Sequence, residues 1–118
     1  MKKKLTMIPK KGMTLKDGCN LHLENCRQRN LREGTIRHYK DCYVQFKKYF
    51  SAGILLGEMT EKKYHEYAMH LKETLGSDES VRTYTRSLRT LLYFLMREGY
   101  VQPFKIKEMK ADRHAIET

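Results

Sequence analysis

The chain has 118 residues, enough for one domain with one hydrophobic core. Its 24 Lys and Arg against 14 Asp and Glu leave a formal net charge of +10, which favours an anionic partner, nucleic acid being the commonest for a basic soluble domain; a basic surface with no partner is the bland alternative. No apolar run approaches the ~18 residues of a membrane span, the basic amino end MKKKLTMIPKKGM lacks a signal-peptide core, and the three cysteines have no CxxC spacing, so the expected protein is cytoplasmic, without a membrane partner and without disulfides.

Residues 1–13 carry Pro9 and Gly12 among lysines and read as a basic flexible arm. Thr14 with Asp17 three residues on forms a capping box, opening a first helix from Leu15 to about Asn30 with Leu15, Cys19, Leu23 and Cys26 on its apolar side. Asn30–Gly34 is a connection in which Leu31 folds back onto the core. Thr35 is the expected cap of a second helix running to about Phe50, where Ile36, Tyr39, Tyr43, Phe46 and Phe50 recur at alternating spacings of three and four. Arg37, Lys40, Lys47 and Lys48 flank that face, with Asp41 the acid among them. Ser51, Gly53 and Gly57 break the helix.

Thr60 caps a third helix with Tyr64, Tyr67, Ala68, Leu71 and Leu75 on one face and Gly76 as its C′ residue. Its outer face mixes Glu61, Lys62, Lys63, Glu66, Lys72 and Glu73, an ordinary solvated surface. The fourth helix spans Ser77 to Gly99 and has two unlike faces. Advancing about 100° per residue, Val81, Tyr84, Leu88, Leu91, Leu92 and Leu95 share one side. Arg82, Arg86, Arg89 and Arg97 form a second stripe of a single sign, with Tyr93 among them. Pro103 ends the helical part, and residues 104–118 alternate basic and apolar as a tail or interdomain linker.

The order GTIRHY, then Phe46 with Phe50, the helix start MTEKKYHEY, the helix SVRTYTRSLRTLLYFL and the closing GYVQP resembles the amino-terminal core-binding, SAM-like domain of the tyrosine recombinases, the phage-integrase family. The resemblance covers residues 14–103. It implies an all-α bundle of four helices, with room for a fifth, forming one half of a C-shaped clamp around duplex DNA and making most of its contacts from the second and fourth helices. Carried to this chain, those contacts fall on Arg37, Lys40, Lys47 and Lys48 and on Arg82, Arg86 and Arg89. The family's chemistry belongs to another domain, with a nucleophilic Tyr, catalytic arginines and a His-x-x-Arg segment. Here His114 is followed by Ala115 and Ile116, and the family's usual Asn-Pro is Gln102-Pro103. The resemblance therefore implies a non-enzymatic piece or truncated relative of a DNA cleaving and rejoining recombinase, with no catalytic residues of its own. Its expected partners are double-stranded DNA, the parent's catalytic domain and other recombinase subunits.

The chemistry of the stripe supports that expectation. Helical turns of about 5.4 Å against duplex charges about 1.7 Å apart let successive arginines meet neighbouring phosphates, and Arg86 or Arg89 can fork onto a guanine edge. Arg82 is placed in the first turn, where free N–H groups also favour a phosphate. Thr83, Thr85 and Tyr93 add hydroxyls, whereas Arg97 complements the helix dipole. Cys19, His22 and Cys26 are the sharpest metal-like cluster, but one helix rarely supplies three zinc ligands. No metal or other cofactor is expected. Tyr39 lies on an apolar face without a base and is no nucleophile. Two rival readings are a helix-turn-helix-like regulator, which the long gap from Ser51 to Met59 disfavours, and a helical protein-interaction module.

Overall fold

A computed structural model describes residues 12–106. Four α-helices carry the fold: α1 (Leu15–Gln28), α2 (Glu33–Phe50), α3 (Glu61–Thr74) and α4 (Asp78–Arg97), with a single 3-10 turn at Leu56–Glu58. The only extended pairing among the described residues is an antiparallel bridge of Thr14 with Leu55, which ties the start of α1 to the loop after α2.

Local chemistry sets most helix ends. Thr14 and Asp17 close the expected capping box, with Asp17 N–H donating to Thr14 Oγ1 at 3.3 Å and Thr14 N–H donating to Asp17 Oδ2 at 3.1 Å. Thr60 and Ser77 accept from Lys63 and Ser80 N–H in the same way. α4 ends in a Schellman turn: Gly99 takes φ of 85°, its N–H donates to Met96 O, and Tyr100 N–H donates to Leu95 O. Asn30, at φ 58°, does the same for α1 through Leu31 N–H and Cys26 O.

Two expected ends are corrected. Thr35 does not cap α2; the cap lies three residues earlier at Arg32, which makes no side-chain cap bond. The Schellman turn at Asn30 leaves only Leu31 and the extended Arg32 before α2 begins at Glu33, so Thr35 is already inside. Nor does Gly76 act as a left-handed C′ residue: α3 ends on Leu75 in an extended conformation, and only Gly12 and Gly99 have positive φ among the described glycines. Leu75 stays extended because it packs back on the core.

α4 is the hub, packing on α1, α2 and α3 alike. Leu88, Leu91, Leu92 and Leu95 are fully buried, each contributing about 2 kcal/mol of apolar burial. Phe94 and Ser87 are buried too, widening the inward face beyond the stripe that periodicity alone outlines. Phe46, Phe50, Tyr49, Tyr67 and His70 join α2 to α3 as a ring cluster, with Phe46 edge-on to Tyr67 at 5.4 Å.

Gly18 marks the closest approach of α1. A Cβ there would lie 3.1 Å from Leu95 Cδ1 and 3.3 Å from Leu56 Cδ2. In Gly18→Ala the helix-propensity gain of about 1 kcal/mol offsets that crowding and leaves stability nearly unchanged. Gly18→Val forces two further methyls against buried leucines and costs about 1–3 kcal/mol. Urea denaturation of the two variants checks the contrast.

Beyond α4 the packed chain extends to Ile106, three residues past the Pro103 at which the sequence ends the domain. Val101 and Ile106 are buried in the core cluster and Phe104 packs against it. Of the expected arm 1–13, Met13 instead packs against the core and its carbonyl accepts the Leu56 N–H at 2.9 Å, while residues 1–11 and the tail beyond Ile106, His114 included, lie outside the described residues.

Candidate nucleic-acid interface

The arginine stripe follows from where α4's leucines must go. With Leu88, Leu91, Leu92 and Leu95 turned into the core, a period near 100° per residue puts Arg82, Arg86 and Arg89 about half a turn away, on the outer side of the bundle. Arg82 and Arg86 are exposed and Arg89 is half-buried. Among the described residues neither Arg82 nor Arg86 is paired with a carboxylate; the ion pairs Arg27–Glu24 and His65–Glu61 lie on α1 and α3. Arg97 sits 5.7 Å from the Phe94 ring centroid, a cation–π contact in the last turn of α4.

α4 starts behind its expected Ser77 cap, but Arg82 does not fall in the first turn. The helix begins at Asp78, so Arg82 is its fifth residue, just beyond a first turn that holds Asp78 and Glu79. Those acids already complement the dipole, and Ser77 Oγ takes the Ser80 N–H. The helix amino end is therefore not a free phosphate site. The threonine hydroxyls are also engaged: Thr83 Oγ1 donates to Glu79 O at 3.0 Å, and Thr85 Oγ1 donates to Val81 O at 2.9 Å. Tyr93 is 37% exposed, and its hydroxyl accepts the Ile106 N–H at 3.0 Å.

α2 meets α4 through His38 and Cys42. His38 Nε2 lies 3.4 Å from Ser87 Oγ and 3.7 Å from Cys42 Sγ. From that seam, about 100° per residue turns Arg37 and Lys48 outward and sends Lys40 and Lys47 to the far side of α2. Lys47 faces α1, where its charge acts on the Cys19 thiol. The structure thus gathers Arg82, Arg86 and Arg89 in one row and does not bring Lys40 or Lys47 onto it.

Cys19, His22 and Cys26 belong to the core. His22 is 3% exposed and ringed by Tyr39, Tyr43 and Phe94, the nearest centroid at 4.9 Å. Its Nδ1 lies 2.6 Å from the Tyr43 hydroxyl and its Nε2 lies 3.8 Å from Cys26 Sγ. Burial, aided by the Arg29 and Arg97 charges, pushes the imidazole pKa down to about 4, so the ring is neutral at pH 7. Burial pushes the Cys19 thiol up to about 12 and raises those of Cys26 and Cys42; none supplies a thiolate at neutral pH. Among the described residues no three His, Cys, Asp or Glu side chains are grouped to hold a metal. Tyr43, Tyr64 and Tyr67 are buried, and Tyr39 and Tyr84 half-buried, so these rings pack rather than present faces for stacking. No helix among the described residues is long and apolar enough to cross a membrane.

A model of the family described as the phage integrase SAM-like domain matches residues 14–111. Comparison with curated proteins and with solved structures gave no match. The matched span takes in all four helices, the α4 hub and the segment that packs behind it. With most of its length covered by that one description, the chain belongs to the phage integrase SAM-like domain family.

Proposed function

We propose that this domain binds duplex DNA as the core-binding half of a site-specific tyrosine recombinase. In that role it positions DNA for recombination by a catalytic domain of the parent protein. One observation carries the reading: past its acidic first turn, the outer side of the hub helix is a row of arginines, with Arg82 and Arg86 exposed and without carboxylate partners among the described residues. Such a row is a poor solvated face and a good phosphate-binding one. The integrase family membership and the net charge of +10 support it. The contacts fall mainly on phosphates through Arg82, Arg86 and Arg89, with Arg37 and Lys48 as outward-facing auxiliaries and Lys40 and Lys47 less central. Such contacts set position and register. The domain alone does not cleave DNA.

The salt dependence of binding tests this. Neutralising about six phosphates gives a log–log slope of affinity against salt near −5, measurable by fluorescence anisotropy on a labelled duplex. Absence of binding at low salt overturns the reading.

One feature favours a second reading. α3 and α4 are joined by only three residues, Leu75–Ser77, the length of a helix-turn-helix connection. A recognition helix, however, reads bases with its amino-terminal residues, and here that turn carries Asp78 and Glu79. Both acids repel a DNA backbone, and the cations begin only at Arg82. Base-specific protection by the first turn of α4 would favour the regulator; a loss of affinity in Arg82→Glu, Arg86→Glu that is uniform across duplex sequences favours the recombinase domain.

A further inference from the structure

The segment after α4 folds back along the hub helix. Phe104 N–H reaches Met96 Sδ at 3.5 Å and Ile106 N–H donates to the Tyr93 hydroxyl at 3.0 Å. Later residues of the segment thus meet earlier residues of α4, so the segment runs antiparallel to it. Phe104 is half-buried, Lys105 exposed and Ile106 buried. That alternation belongs to an extended chain with its two apolar side chains on the bundle and the lysine turned outward. Tyr93 stands one helical turn beyond Arg89 and within the same angular stripe as Arg82, Arg86 and Arg89.

Resting on the DNA reading above, we propose that Phe104–Ile106 is a strap clamped onto α4 by the Tyr93 hydroxyl, and that it delivers Lys105 to the cationic face as a further phosphate contact. The arginine row then continues past Arg89 on a different piece of chain. Tyr93 is a positioning residue: its oxygen is occupied by the Ile106 amide, and its ring supports the strap. The segment sets the direction in which the chain leaves the bundle, beside the surface that meets DNA. Anchoring by Ile106 burial and by the Ile106 N–H on the Tyr93 hydroxyl, with the weaker Phe104 N–H contact on Met96 Sδ, keeps Lys105 close to the row without a regular element to hold it.

The test pairs duplex titrations over a range of salt with amide exchange at Ile106, in the wild type, Lys105→Ala, Tyr93→Phe and the double variant. Lys105→Ala is expected to weaken binding several-fold and to reduce the magnitude of the salt slope by about one. Tyr93→Phe keeps the ring and removes the acceptor; Ile106 exchange speeds up, affinity falls no further than in Lys105→Ala, and the double variant binds like Lys105→Ala alone. An unchanged slope in Lys105→Ala, with the wild type binding normally, overturns the phosphate contact and leaves the DNA reading standing. Multiplying losses in the double variant mean that Tyr93 touches DNA itself and overturn the positioning role. Unchanged Ile106 exchange in Tyr93→Phe overturns the clamp whether or not DNA binds. A wild type that binds no duplex sinks the DNA reading and the Lys105 contact together.

Discussion

Reversing Arg82, Arg86 and Arg89 to Glu is expected to remove duplex binding while the helical fold persists. At about 0.1 M salt, giving up one arginine–phosphate pair weakens binding roughly tenfold, so giving up three costs about a thousandfold. Reversal adds repulsion to that loss. The salt slope should flatten by about three at the same time, which distinguishes the removal of phosphate-binding cations from a local misfold. Arg82 and Arg86 are exposed, and substitutions at such sites usually move stability by less than about 0.5 kcal/mol. Arg89 is half-buried and does take part in an interaction. The Arg82→Glu, Arg86→Glu double variant is therefore the cleaner probe, and it alone should cost about a hundredfold or more. Circular dichroism verifies the fold. A folded triple variant that binds as tightly as the wild type moves the DNA-binding surface off α4 altogether.

Acid should destabilise the domain well before its carboxylates are all protonated, because of His22. In the folded state burial holds the imidazole near a pKa of about 4, with Arg29 and Arg97 adding to the effect, whereas in the unfolded chain it titrates near its ordinary value of 6.5. The unfolded state thus binds a proton that the folded state refuses throughout that window. The stabilising contribution is fully present above about pH 6.5 and is lost as pH falls through about 4. The difference amounts to about 3 kcal/mol, a large share of the stability of a small domain. A protonated ring would need acceptors at both nitrogens. Nδ1 has the Tyr43 oxygen, while Nε2 faces only the weakly accepting Cys26 sulfur. Urea denaturation at successive pH values should show the loss, and His22→Gln, which keeps a polar group near Tyr43 but cannot titrate, should lack that part of the slope. Equal slopes in the two proteins would show that His22 is not the cause.

Several features were legible because they depend on short stretches of chain. Caps at Thr14 and Thr60 need only a hydroxyl and a neighbouring N–H. The alternation of three and four from Ile36 to Phe50 gives α2's inward face directly. Other features were not legible. Thr35 has the right side chain for a cap, yet α2's start was decided by the left-handed turn at Asn30, whose geometry a side-chain pattern does not reveal. The spacing of His22 with two cysteines argued only against a zinc site; its contacts with Tyr43 and Phe94 lie far away in sequence. Lys105 was visible only as one lysine in an alternating tail, and its place beside α4 depends on the Tyr93 hydroxyl catching the Ile106 amide.

The amino-acid sequence by itself determined the class of fold, the hub helix and the single-sign row on that helix, because side-chain period and charge are properties of one segment. Tertiary structure alone decided which cations share a face. It set the seam of α2 on α4 at His38 and Ser87, from which Lys40 and Lys47 point away, and laid the chain after Gly99 back across Tyr93. The physical reason is that a periodicity fixes directions around one helix axis, whereas the relation between two axes is fixed only when buried side chains such as Leu88, Leu91 and Leu95 fit against their neighbours.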